Sequence, residues 1–187
     1  NTTVVQGAVA GAVLGGLLGA FTKDKQNIVK YAAIGAGVGG ATGYYVAKRK
    51  ESFANEEARL DSMIVDVQGD NAKVAAMSNT TRSVIANDMA RINRIEQDLA
   101  AGTMTRQEAK QQLALIDDNS EVLKGSLENL RKRQGEYEEA SAEMAKGGDV
   151  SAQSLSAYNQ EITNLQDQIA SMENDLDDLI DRRGAVT

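Results

Sequence analysis

No proline interrupts the 187 residues of this chain. Proline costs roughly 3 kcal/mol inside a helix, so its absence favours long, uninterrupted helices. Three other residue types are missing as well: His, Cys and Trp. Without Cys or His, the usual zinc ligand sets, iron–sulfur clusters, haem ligation through either residue, disulfides, and catalysis by a Cys nucleophile or a Ser–His–Asp triad are excluded. The missing cysteines leave the redox compartment open, since oxidising and reducing surroundings both tolerate a Cys-free chain. With only 5 Tyr and 2 Phe, a large mixed core is also disfavoured, because rings supply much of the area such cores bury.

The net charge of −7 hides two different halves. Residues 1–50 hold ten of the 17 glycines, six basic residues and one acid, Asp24, a net of +5. Residues 51–187 hold 14 basic and 26 acidic residues, a net of −12. The boundary falls at Lys48-Arg49-Lys50, a basic cluster directly after an apolar run. Such a cluster is the usual flank of a membrane helix, although a solvated turn has the same composition.

The expected organisation is therefore all-α in two domains: a transmembrane helical hairpin over 1–50 and an elongated antiparallel coiled-coil or three-helix rod over 51–187. Thr3 to Phe21 is uncharged, and as a helix it would be about 28 Å long, close to the ~30 Å hydrocarbon core of a bilayer. A second run, Ile28 to Ala47, carries only Lys30, whose stem can snorkel to the interface. Tyr31 near one end and Tyr44 with Tyr45 near the other suit an aromatic belt. The polar turn Thr22-Lys23-Asp24-Lys25-Gln26-Asn27 makes the two spans, 3–21 and 28–47, antiparallel.

Glycine spacing is the most specific signal in this half. Gly7, Gly11, Gly15 and Gly19 fall at strict four-residue steps, as do Gly35, Gly39 and Gly43. Steps of four form one ridge of a helix, where no side chain keeps two backbones apart. In lipid, close packing rather than the hydrophobic effect must hold helices together. A second small ridge runs beside each first one: Ala8, Ala12, Gly16 and Ala20, then Ala32, Ala36 and Gly40. One small face could close the hairpin and the other pack against a neighbouring protomer, which predicts a homo-oligomer, with a ring as one closed form. The seven glycines of the two ladders are the expected oligomerisation residues.

Other readings of the same residues are weaker. A signal-peptide core would want a basic n-region and no matching second span. A buried hairpin in a soluble protein would need more apolar surface than the rest of the chain offers. Gly35-Ala36-Gly37-Val38-Gly39-Gly40 fits G-x-G-x-x-G, but a dinucleotide site needs a preceding strand and further βα units, and no β-pattern occurs.

Two apolar segments with G-x-x-x-G-x-x-x-G repeats, joined by a short polar turn, resemble the glycine-zipper hairpins of Gram-negative envelope proteins, many of them outer-membrane lipoproteins. The resemblance covers residues 3–47. It implies a membrane partner and a place in the cell envelope, with the outer membrane holding the hairpin and the rod in the periplasm. It also implies a processed N-terminus, with a lipidated Cys immediately before Asn1.

In the second half, Leu155, Tyr158, Ile162, Leu165, Ile169, Met172, Leu176 and Leu179 alternate in steps of three and four, a coiled-coil seam over about four heptads. A second run uses Leu113, Ile116, Ser120, Leu123, Leu127, Leu130, Gln134, Tyr137, Ser141 and Met144. A third spans Leu60, Met63, Val67, Val74, Met77, Thr81 and Val84, then shifts to Ile85, Met89, Ile92 and Leu99, a drift resembling a stutter. Breakers at Ala101-Gly102-Thr103 and Gly147-Gly148-Asp149 divide helices of about 51–100, 105–146 and 151–183. Thr105 with Glu108 forms a capping box, and Asp149 or Ser151 caps the last helix. Short turns force an up-down-up bundle. The first helix is expected to continue out of the second span through Lys48-Arg49-Lys50 as a stiff stalk.

No catalytic, cofactor or metal site is expected. Asp175, Asp177, Asp178 and Asp181 are clustered but lack the glycine-hinged loop of a calcium site. Arg131-Lys132-Arg133 lies in a strongly acidic domain whose field repels nucleic acid. No apolar pocket is visible that would raise a carboxyl pKa, so an enzyme is not expected. The leading functional reading is a structural or scaffolding component of the bacterial envelope that oligomerises through its zipper and presents helical faces to other envelope proteins. The alternative is a pore-forming protein or secretion translocator with an insertable hairpin. Beyond Gln6, Lys30 and Thr42 the spans offer little to line water, which favours the scaffold. A third reading is a soluble partner-binding coiled coil merely anchored by the zipper.

Overall fold

The computed structural model describes residues 55–186. They form three long helices, α1 (Glu56–Ala100), α2 (Arg106–Gly147) and α3 (Ala152–Gly184). At 45, 42 and 33 residues, they extend about 68, 63 and 50 Å. The expected hairpin, with its spans 3–21 and 28–47, lies outside the described residues. Among the described residues no helix is long and apolar enough to cross a membrane.

Each helix starts on a side-chain cap. Asn55 has an extended backbone (φ −122°, ψ 125°), and its Oδ1 accepts the N–H groups of Glu57 at 2.9 Å and Ala58 at 3.4 Å. This is a full N-cap. It corrects the expectation of an unbroken stalk: Asn55 is extended and α1 begins at Glu56. At α2 the Glu108 N–H donates to Thr105 Oγ1 at 3.2 Å, and the Thr105 N–H donates to Glu108 Oε2 at 2.8 Å, the reciprocal capping box. Ser151, not Asp149, caps α3, accepting from Ser154 N–H at 3.0 Å.

Both turns depend on a left-handed glycine, Gly102 (φ +69°) after α1 and Gly148 (φ +72°) after α2. A side chain at such a φ is strained, which is why glycine is the usual helix terminator.

Side-chain bonds between helices fix their directions. Glu57 meets Ser151 and Ser154, Asn71 meets Glu161, Arg82 meets Asp175, and Arg182 meets Glu96, so numbering rises together on α1 and α3. These two helices are parallel. Against α2 the order reverses: Asp70 meets Arg133 while Asp88 meets Asn119. On the α2–α3 side Ser141 meets Asn159, Arg131 meets Glu173 and Asp117 meets Arg183, again antiparallel. The result is an up-down-up bundle in which α3 packs extensively on both neighbours and α1 touches α2 less.

The core is a single line of buried side chains along all three helices, including Leu60, Val67, Ile92 and Ile95 from α1, Ile116, Leu130 and Tyr137 from α2, and Leu165, Ile169 and Met172 from α3. Removing this apolar surface from water, at about 25 cal/mol per Å², drives the helices together.

Candidate functional site

Of the α3 seam, Tyr158, Ile162, Leu165, Ile169, Met172, Leu176 and Leu179 are buried, and Leu155 is half-buried at the end of the line. Their periodicity is spent inside the chain, on α1 and α2 together, so this seam is the bundle's own core and not a surface left for a partner helix. In α2 the polar members Ser120 and Gln134 are buried, whereas Ser141 is half-buried and donates to Asn159 Oδ1 at 2.5 Å. Gly7, Gly11, Gly15, Gly19, Gly35, Gly39 and Gly43 lie outside the described residues.

Some members of the charge clusters seen in the sequence are taken up by side-chain bonds within the bundle. Asp175 accepts from Arg82 Nε at 3.1 Å. Among the described residues no group of three or more acids, Cys or His could hold a metal ion. Of the basic run, Arg131 donates from Nε to Glu173 Oε1 at 2.8 Å and from Nη1 to Gln134 at 2.9 Å. Arg133 turns inward.

Two acids at seam positions of α1 form polar layers that the apolar pattern does not reveal. Asp70 follows Val67 by three and precedes Val74 by four, completing the step that the apolar residues leave as a gap of seven. Its Oδ2 accepts from Arg133 Nε at 3.1 Å and from Tyr137 Oη at 2.5 Å, and its Oδ1 from Lys73 Nζ at 3.1 Å. The Arg133 guanidinium also donates to Glu136 at 3.1 Å and stacks 4.6 Å from the centre of the Tyr137 ring. Burial alone would depress this guanidinium, but Tyr137, Asp70 and Glu136 more than offset that and hold its pKa above the usual arginine value. Tyr137 in turn meets Tyr158 of α3 edge to face, centroids 6.3 Å apart at 87°. The Tyr158 hydroxyl is buried without a hydrogen-bond partner, and burial pushes its pKa up.

The second layer is sparser. Asp88 lies four residues after Val84 and four before Ile92 and is 2% exposed. Asn119 Nδ2 donates to its Oδ2 at 2.7 Å. Burial raises the Asp88 carboxyl, opposed less strongly by the Asn119 bond and by the charge of Arg91 one turn on.

At the end where the described chain begins, α1 caps α3. The Glu57 carboxylate accepts Ser151 N–H at 2.8 Å and the Ser151 hydroxyl at 3.0 Å, with Ser154 Oγ as a third donor. Those bonds, Ser154's first, lower the Glu57 pKa. A carboxylate belongs here because a helix N-terminus carries unsatisfied N–H groups and a positive dipole end. The first turn of α1, just after the N-terminal segment, is thereby tied to the α2–α3 turn.

The described chain is thus an all-α bundle that follows a glycine-laddered N-terminal segment. Residues 6–52 match a family model of the Omp type, described as a glycine zipper. The match takes in both glycine ladders and about a quarter of the chain. In this segment the chain is similar to membrane-associated proteins of the bacterial outer envelope. No curated protein and no solved structure matches the chain.

Proposed function

We propose that this protein is a structural or scaffolding component of the bacterial envelope, assembling in a membrane through its glycine zipper and holding the three-helix bundle at the membrane face. The observation that carries the reading is the glycine-zipper match over residues 6–52, with the capped start of α1 only three residues beyond it. Steps of four glycines let helix backbones approach closely in lipid, where small residues rather than apolar bulk drive association. The ladders Gly7, Gly11, Gly15, Gly19 and Gly35, Gly39, Gly43 make the helix contacts, both within the hairpin and between copies. The bundle is a rigid spacer whose outer faces meet other envelope proteins, in the periplasm if the hairpin occupies the outer membrane. The reading assigns it no catalysis.

Extraction in mild detergent followed by light scattering tests the assembly directly. A mass of several copies, lost in the double variant Gly11→Leu with Gly39→Leu while the helical circular dichroism of the bundle persists, is the expected result. An oligomer unchanged by that variant would move the contacts into the bundle. A monomer that purifies without detergent would overturn the scaffold and favour a pore-former that hides its hairpin.

A further inference from the structure

Asp88 is buried among Val84, Ile85 and Ile92, and its hydrogen-bond donor is the neutral amide of Asn119. Arg91 offers charge but no hydrogen bond to it, and Arg91 Nη1 is itself buried without a partner. Ser120 Oγ, beside Asn119, and Thr81 Oγ1, two turns before Asp88, are buried without partners as well. At this level of α3, Asp175 is engaged with Arg82, Arg182 with Glu96 and Asn93, and Arg183 with Asp117, while Asp177, Asp178 and Asp181 are exposed to solvent. An ionised carboxylate here is a buried charge with one neutral donor, a costly arrangement. The same site suits a neutral carboxylic acid, which keeps the Asn119 bond at its carbonyl oxygen and carries no charge.

We infer that Asp88 is a proton-operated joint of the α1–α2 seam, tight when its carboxyl has taken a proton from solvent and loosened when the carboxyl is ionised. The inference is independent of the assembly reading. A group whose folded pKa is raised contributes stability that is fully present below its unfolded value and is lost as pH rises through the folded one. For Asp88 that window opens at the ordinary aspartate value of 3.8 and extends upward. The bundle should therefore gain stability from this group on mild acidification, opposite in sign to what Glu57 and Glu108 contribute, whose pKa values are lowered by their caps.

The test uses the full chain in mild detergent, unfolded with guanidinium between pH 4 and pH 8 and followed by helical circular dichroism, beside Asp88→Asn. Asparagine keeps the shape and an acceptor for Asn119 without the charge. The variant should be more stable at pH 7–8, by about tenfold in the folding constant for every pH unit by which the Asp88 midpoint exceeds 3.8. The gap should close toward pH 4. A gap that stays constant across the range would overturn the inference. A carbon-13 carboxyl titration of the unsubstituted chain gives a second reading that needs no variant to fold: the Asp88 midpoint should lie above the ordinary aspartate value, and a midpoint at or below it would equally overturn the inference.

Discussion

Asp70 and Asp88 stand on one helix, both on the face turned to α2, about 27 Å apart along the axis, yet their surroundings differ in kind. Asp70 gathers two cations and a phenol, Arg133, Lys73 and Tyr137, and Arg133 is further held by Glu136 and the Tyr137 ring. Asp88 has one amide. Both side chains are buried, so the contrast shows what pairing does for a buried charge. At Asp70 the charge is matched and the layer specifies which residues of α1 and α2 face each other, as buried polar groups do in coiled coils. At Asp88 no cation bonds the carboxylate, Arg91 acting only through its charge, and the group becomes sensitive to pH.

The largest way to break the Asp70 layer is to remove its centre. Asp70→Ala leaves Arg133, whose side chain is 15% exposed, without its inter-helix carboxylate, and should cost about 3–5 kcal/mol. Guanidinium unfolding of the full chain measures it. Replacing Asp70 and Arg133 together by Leu and Met should recover part of that loss, because well-packed apolar pairs often equal buried ion pairs, while Glu136 and the Tyr137 hydroxyl lose the bonds they made to that pair. If the double variant is no more stable than Asp70→Ala, the layer is not a pairwise clasp.

The two edge-to-face tyrosines sharpen the comparison with opposite signs. Tyr137→Phe deletes a buried bond to a charged acceptor at 2.5 Å, and a loss of about 1.5–3 kcal/mol is expected. Tyr158→Phe deletes a hydroxyl buried without a partner and should stabilise by about 1 kcal/mol. Equal effects of the two would mean that the rings, not the hydroxyls, decide the layer.

Glu57 tests the same logic at the surface. Its pKa is lowered by bonds from Ser154 and Ser151, so its stabilisation is present above the ordinary carboxylate value of 4.5 and is lost as pH falls through its lower folded value. Thermal melts of Glu57→Gln should fall below the unsubstituted chain at pH 7, and the deficit should shrink as pH falls below 4.5. A deficit that does not shrink with acid would assign the bonds to the hydroxyls alone.

These layers also mark where the sequence stops being readable. The three-four alternation from Tyr158 to Leu179, the capping pair Thr105 and Glu108, and Gly102 and Gly148 are local signals, and local physics suffices to place helices, ends and turns. A polar residue on a seam is different, because its meaning depends on a partner whose register is set by the rest of the fold. Asp70 reads as a gap in the α1 pattern until Arg133, far along another helix, is opposite it. Ser141 reads as a seam residue but is drawn to the rim by Asn159. The break at Asn55 was masked by the basic cluster before it, which reads as the continuation of a membrane helix.

The smallest expected effect concerns glycines that these layers do not use. Gly69 in α1 and Gly125 and Gly135 in α2 lie inside helices, and a methyl group at any of them meets nothing within 4 Å. Alanine is favoured over glycine in a helix interior by about 0.8–1 kcal/mol, so each substitution should raise the bundle's stability by up to that amount. None of the three is needed for packing within one chain. Light scattering of the three alanine variants should give an unchanged mass if the zipper alone assembles the protein. A lower mass for any one of them would place that helix face between copies, because an added methyl group with free space around it can do harm only where another molecule comes close.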